Sequence, residues 1–270
     1  MFLNQNQFNG QLPSEIGLLT GDTNWDPTVV DAGKGPLTRI LSRRPGLRRL
    51  VVFKNQLIGA IPSEIGLLHD TLDSVELAYN HFSSNIPSEL GALTSVEKLF
   101  LEANDLTGTI PSSLGEMENM MFMDIAANLL TGPCKSYTVE RRSNRTILFM
   151  LTPCTLYRFF IFCHHTVPSE LGNLPSIQML NMRSNELSGA LPSEIGKMTT
   201  LYQLDLSGNS ELGGPIPPEL GQLSSLLALS LKRTSLTGTI PESLCRVRDL
   251  WFDCSPLLCG CDCECDGFET

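Results

Sequence analysis

Apolar residues recur along this chain in a fixed frame. The stretch 96–115, VEKLFLEANDLTGTIPSSLG, sets them at Val96, Leu99, Leu101, Leu106 and Ile110, with Asn104 and Gly108 between. The frame is LxxLxLxxNxLxGxIPxxLG, and most of the chain repeats it. Self-similarity at such a period means a stacked array in which each unit packs only on its neighbours. Within the frame, LxLxx alternates apolar and variable residues, the period-two mark of a short strand with one buried face. Stacked units then make a parallel sheet. After GxIP comes Ser-Glu-Ile/Leu-Gly, as in Pro62 to Gly66 and Pro168 to Gly172. Proline suits the first position of a helical turn and glycine its left-handed exit, so each unit predicts a brief helical or 3₁₀ segment on the outer face. The arc is then concave on the strand side.

The asparagine of the frame counts the turns. It falls at Asn6, Asn55, Asn80, Asn104, Asn128, Asn185 and Asn209, with Thr234 in the same place in the last, which makes eight. Its amide can satisfy backbone groups where the chain bends inward after the strand, and threonine can do only part of this. The steps from Asn80 to Asn104 and from Asn104 to Asn128 are equal and set the period. Two steps are far longer, Asn6 to Asn55 and Asn128 to Asn185, so both intervals carry extra sequence.

The first interruption, 21–46, reads GDTNWDPTVVDAGKGPLTRILSRRPG and breaks the frame until Leu47. It fits a functional island, a degenerate extra repeat or a plain loop. The second, 134–166, is the whole excess of its interval over the period, and deleting it joins NLLTGP to VPSELG and restores the frame. These residues have the character of a translated, unspliced intron. Cys134-Lys135-Ser136 can be encoded TGT-AAG-TCN, which holds GTAAGT, and Thr166-Val167 can be encoded ACA-GTN, which supplies a terminal AG. Its apolar run, Ile147 to Phe162, contains Pro153 and Arg158 and is shorter than the roughly 20 residues of a membrane span. The sequon Asn144-Arg145-Thr146 lies here too.

The motif LxxLxLxxNxLxGxIPxxLG resembles the plant-specific class of leucine-rich repeats, and the GxIP portion separates that class from others. The resemblance covers most of the chain. It implies an α/β solenoid, a leucine-rich-repeat right-handed superhelix of about eight turns, with a parallel sheet on the concave face and short helical or 3₁₀ segments outside. It also implies kinship with ectodomains of receptor-like kinases and receptor-like proteins and with polygalacturonase inhibitors, hence a receptor-like role, a protein, peptide or glycan ligand, and a co-receptor as a further partner. In such receptors, islands outside the repeat sometimes contribute to ligand binding.

Charge narrows the partners. A net charge of −10 disfavours nucleic acid and anionic membranes, both of which need a basic face. The 134–166 segment carries Lys135, Arg141, Arg142, Arg145 and Arg158 against Glu140, a net of +4, so the remainder stands at −14.

Cysteine places the chain. There are nine, and removing Cys134, Cys154 and Cys163 with the insertion leaves an even six: Cys245, Cys254, Cys259, Cys261, Cys263 and Cys265. These read as disulfides of a C-terminal cap over 245–270, closing the array of 1–244, in an oxidising, extracellular or cell-surface setting. Leu250, Trp251 and Phe252 are expected to cover the last turn beneath it. A soft metal on the alternating cysteines is the weaker alternative, since successive residues of an extended chain face opposite ways. No metal or cofactor is expected. Met1 falls inside a repeat with no signal-peptide pattern, so the start is expected to be a mid-repeat truncation.

Positions between the buried leucines of each strand point out of the concave sheet. They are Arg49, Val51, Phe53, Lys54; Ser74, Glu76, Ala78, Tyr79; Lys98, Phe100, Glu102, Ala103; Phe122, Asp124, Ala126, Ala127; then Met179, Asn181, Arg183, Ser184; Gln203, Asp205, Ser207; and Ser230, Lys232, Arg233. Among them Val51, Phe53, Tyr79, Phe100 and Phe122 form the candidate ligand-binding patch, an exposed apolar set on adjacent strands. The alternative is cross-strand stacking that only stabilises the sheet.

Nothing reads as catalytic. His69 and His81 lack a nearby nucleophile, and Pro111-Ser112-Ser113 lacks the glycine elbow of a serine nucleophile. Glu64, Glu89, Glu170 and Glu194 recur as helix-start residues that complement a dipole. The chain therefore reads as a non-catalytic recognition module binding through its concave face, with a structural or matrix solenoid lacking a dedicated ligand as the alternative.

Overall fold

Leu99 and Leu101 are fully buried while Lys98 and Phe100 beside them stay partly open, so one face of each short strand is core and the other is surface. The structure, a computed structural model, describes residues 6–19, 47–131, 167–253 and 257–259. Eight such strands stack in parallel: Arg49–Val51, Ser74–Glu76, Lys98–Phe100, Phe122–Asp124, Met179–Asn181, Gln203–Asp205, Ala228–Ser230 and Asp249–Trp251. Neighbours pair at equivalent frame positions, as in Glu76↔Phe100 and Phe100↔Asp124, so each frame position forms a column across the sheet.

The asparagines tie the turns together. Asn80 is buried and donates through Nδ2 to the carbonyls of Val52 at 3.0 Å and Leu77 at 3.0 Å. Its Oδ1 accepts from Leu57 N–H at 3.1 Å, so one side chain joins two turns. Asn104, Asn128, Asn185 and Asn209 repeat this pattern. Thr234 Oγ1 donates only within its own turn, to Leu231 O at 2.8 Å. The residue before each asparagine from Asn55 to Asn209 takes a left-handed φ, for example 55° at Tyr79 and 54° at Ala103, which swings the amide inward.

A second set of parallel strands follows the asparagines, which the frame did not predict. Asn9–Gln11, Gln56–Gly59, His81–Asn85, Asp105–Thr109 and Leu129–Thr131 form one sheet, and Ser188–Gly189, Glu211–Pro215, Ser235–Ile240 and Leu257–Cys259 form another. Each turn then closes through a 3₁₀ helix, as in Ser63–Leu68 and Ser88–Ala92, with an acid in the first turn at Glu64 and Glu89.

The glycine of Ser-Glu-Ile/Leu-Gly has a different duty from the left-handed exit expected of it. Gly91 lies inside its 3₁₀ helix and has no positive φ. A Cβ on Gly66 would stand 2.5 Å from the Glu89 carbonyl oxygen of the next turn, so glycine is required there for close stacking.

Both interruptions leave the stack continuous. The strand after Asn6 pairs directly with the strand after Asn55, Asn9↔Gln56 and Gln11↔Ile58, and Phe8 N–H donates to Asn55 Oδ1 at 3.2 Å. The 21–46 segment itself, read as an island, a degenerate repeat or a loop, lies outside the described residues. Leu47 N–H donates to Leu19 O at 3.2 Å, the bond that Val96 makes to Leu93 in an uninterrupted turn. At the second interruption Asn185 Oδ1 accepts from Leu130 N–H, and Val167 is buried in the slot that Ile110 fills elsewhere. The inserted residues themselves, with the sequon, the apolar run and Cys134, Cys154 and Cys163, lie outside the described residues.

At the C-terminal end Leu250 packs on the core and Phe252 is buried, as expected of covering residues, but Trp251 stands 41% exposed at the edge of the sheet. It occupies an outward position of its strand, whose inward neighbours do the covering. Cys245 is disulfide-bonded. Cys254, Cys261, Cys263 and Cys265 lie outside the described residues, and Cys259 is described only as backbone of its strand.

Candidate functional site

The concave sheet gathers the outward positions into four columns. One runs Arg49, Ser74, Lys98, Phe122, Met179 and Gln203; the next runs Val51, Glu76, Phe100, Asp124, Asn181 and Asp205. Continuing the same register, the third runs Phe53, Ala78, Glu102, Ala126 and Arg183, and the fourth Lys54, Tyr79, Ala103, Ala127 and Ser184. Backbone bonds hold these last two in step, Tyr79 N–H to Glu102 O at 2.9 Å and Ala103 N–H to Ala126 O at 3.0 Å.

Four of the five expected patch residues reach the surface. Tyr79 is 50% exposed, and Phe53, Phe100 and Phe122 are half-buried. Val51 does not belong with them: it is buried at 3% exposure. Its side chain is short, it stands between the longer Arg49, Phe53 and Glu76, and Arg49 reaches diagonally past it to Glu76 at 3.4 Å. The rings are not bare hydrocarbon either. Lys54 Nζ lies 5.9 Å from the Phe53 ring centre and 5.7 Å from that of Tyr79, and Lys98 Nζ lies 5.8 Å from that of Phe122. Ammonium groups over ring faces at these distances are cation–π contacts.

Beside the rings stand carboxylates that the apolar pattern does not reveal, Glu76, Asp124 and Asp205 in the column of Phe100 and Glu102 in the next. Three have partners. Glu76 takes Arg49 and the Ser74 hydroxyl, the latter at 2.9 Å. Asp124 accepts from Ala126 N–H at 3.0 Å and Asn181 Nδ2 at 2.9 Å, and Asp205 accepts from Ser207 N–H at 2.9 Å. Glu102 differs, because its Oε2 is buried with no hydrogen-bond partner. Burial pushes the Glu102 carboxyl up to about 7, opposed by a backbone hydrogen bond and helped by the charges of Asp124 and Glu76. Asp124 is raised too, first by burial, against the pull of Ala126 N–H, Asn181 and Arg183.

The surroundings of Glu102 are small. Ala78 and Ala126 flank it in its column, 3% and 5% exposed, their methyls overshadowed by taller neighbours. Glu102 therefore stands between two covered alanines, with its Oε2 shut off from solvent. The signal was present in the sequence, since Ala78 and Ala126 stand one period before and one period after the glutamate.

The two described histidines stand in surface pairs. His69 Nδ1 lies 2.9 Å from Asp70 and His81 Nδ1 lies 3.4 Å from Asp105, all exposed. No helix among the described residues is long and apolar enough to cross a membrane.

The Leucine Rich Repeat family model matches residues 176–198 and 200–223. Over 161 residues, 53% of this chain, the sequence is 29% identical to Receptor-like protein 41 of Arabidopsis thaliana, of which it covers 18%. The ectodomain of the Arabidopsis thaliana membrane receptor kinase GASSHO1/SCHENGEN3, solved in complex with CASPARIAN STRIP INTEGRITY FACTOR 2, superposes with a TM-score of 0.71 at 30% identity. That alignment covers 95% of this chain and 24% of the receptor chain. The Arabidopsis receptor kinase HAESA, in complex with the peptide hormone IDA and the co-receptor SERK1, gives 0.66 at 29% identity, over 93% of this chain and 32% of that one. The chain thus spans a third or less of each of these relatives. With its stacked parallel strands, 3₁₀ helices and asparagine ladder, the chain has the leucine-rich-repeat solenoid fold and is similar to the ectodomains of plant membrane receptors.

Proposed function

We propose that the chain is a non-catalytic, receptor-like recognition module, extracellular or at the cell surface, that binds a protein, peptide or glycan ligand on its concave sheet. One observation carries this reading. Phe53, Tyr79, Phe100 and Phe122 stand in neighbouring columns of one open parallel sheet, without a second layer of described elements over them. Partly exposed aromatics on a rigid face are the usual anchors of an interface. Two similar ectodomains are solved in complex with their partners, which supports a recognition role here. A co-receptor alongside the ligand follows the HAESA precedent.

A screen against secreted peptides and wall polysaccharides tests this. Phe53→Ala and Phe100→Ala are expected to lose the captured ligand while keeping the native far-UV signature. If every captured ligand binds both variants as tightly as the parent, the aromatic face is not the site.

The cation–π contacts support a second reading, in which the rings brace the sheet and the solenoid is structural. On that reading the same substitutions lower the unfolding temperature and no ligand is captured at all.

A further inference from the structure

Resting on the concave-face reading, we propose that the face takes an extended peptide segment with two separated acidic side chains, one at the Lys54 ammonium and one at that of Lys98, and apolar residues between them. Three observations converge on it. The two ammonium groups lie over the rings of Phe53, Tyr79 and Phe122, and among the described residues neither makes an ion pair or a hydrogen bond. The carboxylates beside them are occupied: Glu76 by Arg49 and Ser74, Asp124 by Ala126 N–H and Asn181, and Asp205 by Ser207, while Glu102 is shut away at Oε2. The acidic surplus of a chain at −10 stands in part on the far side, at Glu64, Glu89, Glu170 and Glu194 of the outer 3₁₀ helices.

The chemistry selects the guest. A ring face attracts an ammonium but does not replace a carboxylate or carbonyl acceptor, so each lysine keeps donors to give. A carboxylate takes them in a charge-assisted bond, and the rings alongside offer an apolar surface to the residues next to it. A segment bearing arginine or lysine meets like charge at both points. Spacing favours a peptide over an acidic glycan. Lys54 stands in the fourth column and Lys98 in the first, two strands on, with Glu76, already neutralised by Arg49, on the strand between. At about 3.3 Å per residue along a strand and about 4.8 Å between strands, that diagonal is about 20 Å, the span of about six extended residues. A chain of uronates carries a carboxylate on every sugar and would set the inner ones near Phe53 and Phe100 without a cation. A peptide can place an acid at each end and apolar residues in the middle.

The test uses the full chain and synthetic decapeptides with two glutamates six positions apart and phenylalanine and glycine elsewhere. These are expected to bind about tenfold tighter than the same peptides with glutamine or lysine in place of glutamate, and tighter than a peptide with its glutamates adjacent. The preference shrinks as salt is raised. Lys54→Met and Lys98→Met, which keep an apolar side chain beside the rings, each cut the preference to about threefold, and together they abolish it. Lys197→Met, on an outer 3₁₀ helix, leaves it intact. Equal binding of the glutamate and glutamine peptides, abolished by Phe100→Ala, would overturn the anionic partner and keep the concave face. Equal binding of the spaced and adjacent glutamates would overturn the two-point reading, and an oligogalacturonide that binds more tightly than any peptide would overturn the peptide. If no peptide binds, the ligand captured in the screen decides. Lost with either lysine variant, it supports the proposal; lost only with Phe100→Ala, it overturns the anionic partner alone; insensitive to all three, it overturns the concave face as well.

Discussion

Asn128 makes the inter-turn bond a property of single residues. It donates to Leu101 O at 3.0 Å in the preceding turn and accepts from Leu106 N–H at 3.0 Å, all of it buried. Removing it strands at least one donor and one acceptor, so Asn128→Ala is expected to cost about 3 kcal/mol, at roughly 1–3 kcal/mol per buried group left unmade. Urea unfolding measures this, and Asn119→Ala, on an exposed side chain, is the control. Glu102 carries the opposite sign. Between about 4.5 and 7 the folded protein holds a proton that the unfolded chain has released, so its stability falls as pH rises through that window. Glu102→Gln is therefore expected to raise the unfolding temperature at pH 8 and to lose that advantage by pH 4.5; an equal shift at both values contradicts a buried carboxylate. The asparagine ladder was legible in the sequence because its spacing is regular and its chemistry has few uses. The environment of Glu102 was not, since the meaning of an alanine one period before and one period after it depends on the register of the strands.

At the scale of elements, the stacking of 3₁₀ helices depends on one atom being absent. A Cβ on Gly91 would collide with Ser113 O in the next turn, and equivalent glycines recur at Gly66, Gly172 and Gly196. Gly91→Ala is expected to lose about 1–3 kcal/mol, the usual range for overpacking. Gly10→Ala meets nothing within 4 Å, but its φ of +89° is strained for any side chain, so its cost is conformational. Comparing the m-values separates them: only steric spreading of the stack changes the surface exposed on unfolding. The concave strands were readable from alternation, with Leu99 and Leu101 inside and Phe100 out. The second sheet was not, because strands such as Asp105–Thr109 bury a single leucine and carry a left-handed glycine, Gly108 at +72°, in mid-strand. Its order comes from backbone bonds to adjacent turns, which leave no periodic trace.

For the whole molecule, both interruptions enter and leave the stack at closed points. Val167 fills an isoleucine slot, and Gly115 packs against Glu170 as Gly91 packs against Ser113. A chain lacking 134–166 is therefore expected to fold to the same solenoid. Because loop closure costs about 0.6 kcal/mol per doubling of length, deletion should leave stability equal or slightly raised. A loss of cooperative unfolding would show that the segment belongs to the fold. Spliced transcripts without those codons are the matching expectation for the intron reading. The central claim, a binding face on the concave sheet, is met most directly by photo-crosslinking. A benzophenone side chain placed at Phe100 should capture a ligand from the screen, and the same group at Leu67, 55% exposed outside on its 3₁₀ helix, should not. Crosslinking at Leu67 with none at Phe100 contradicts the account.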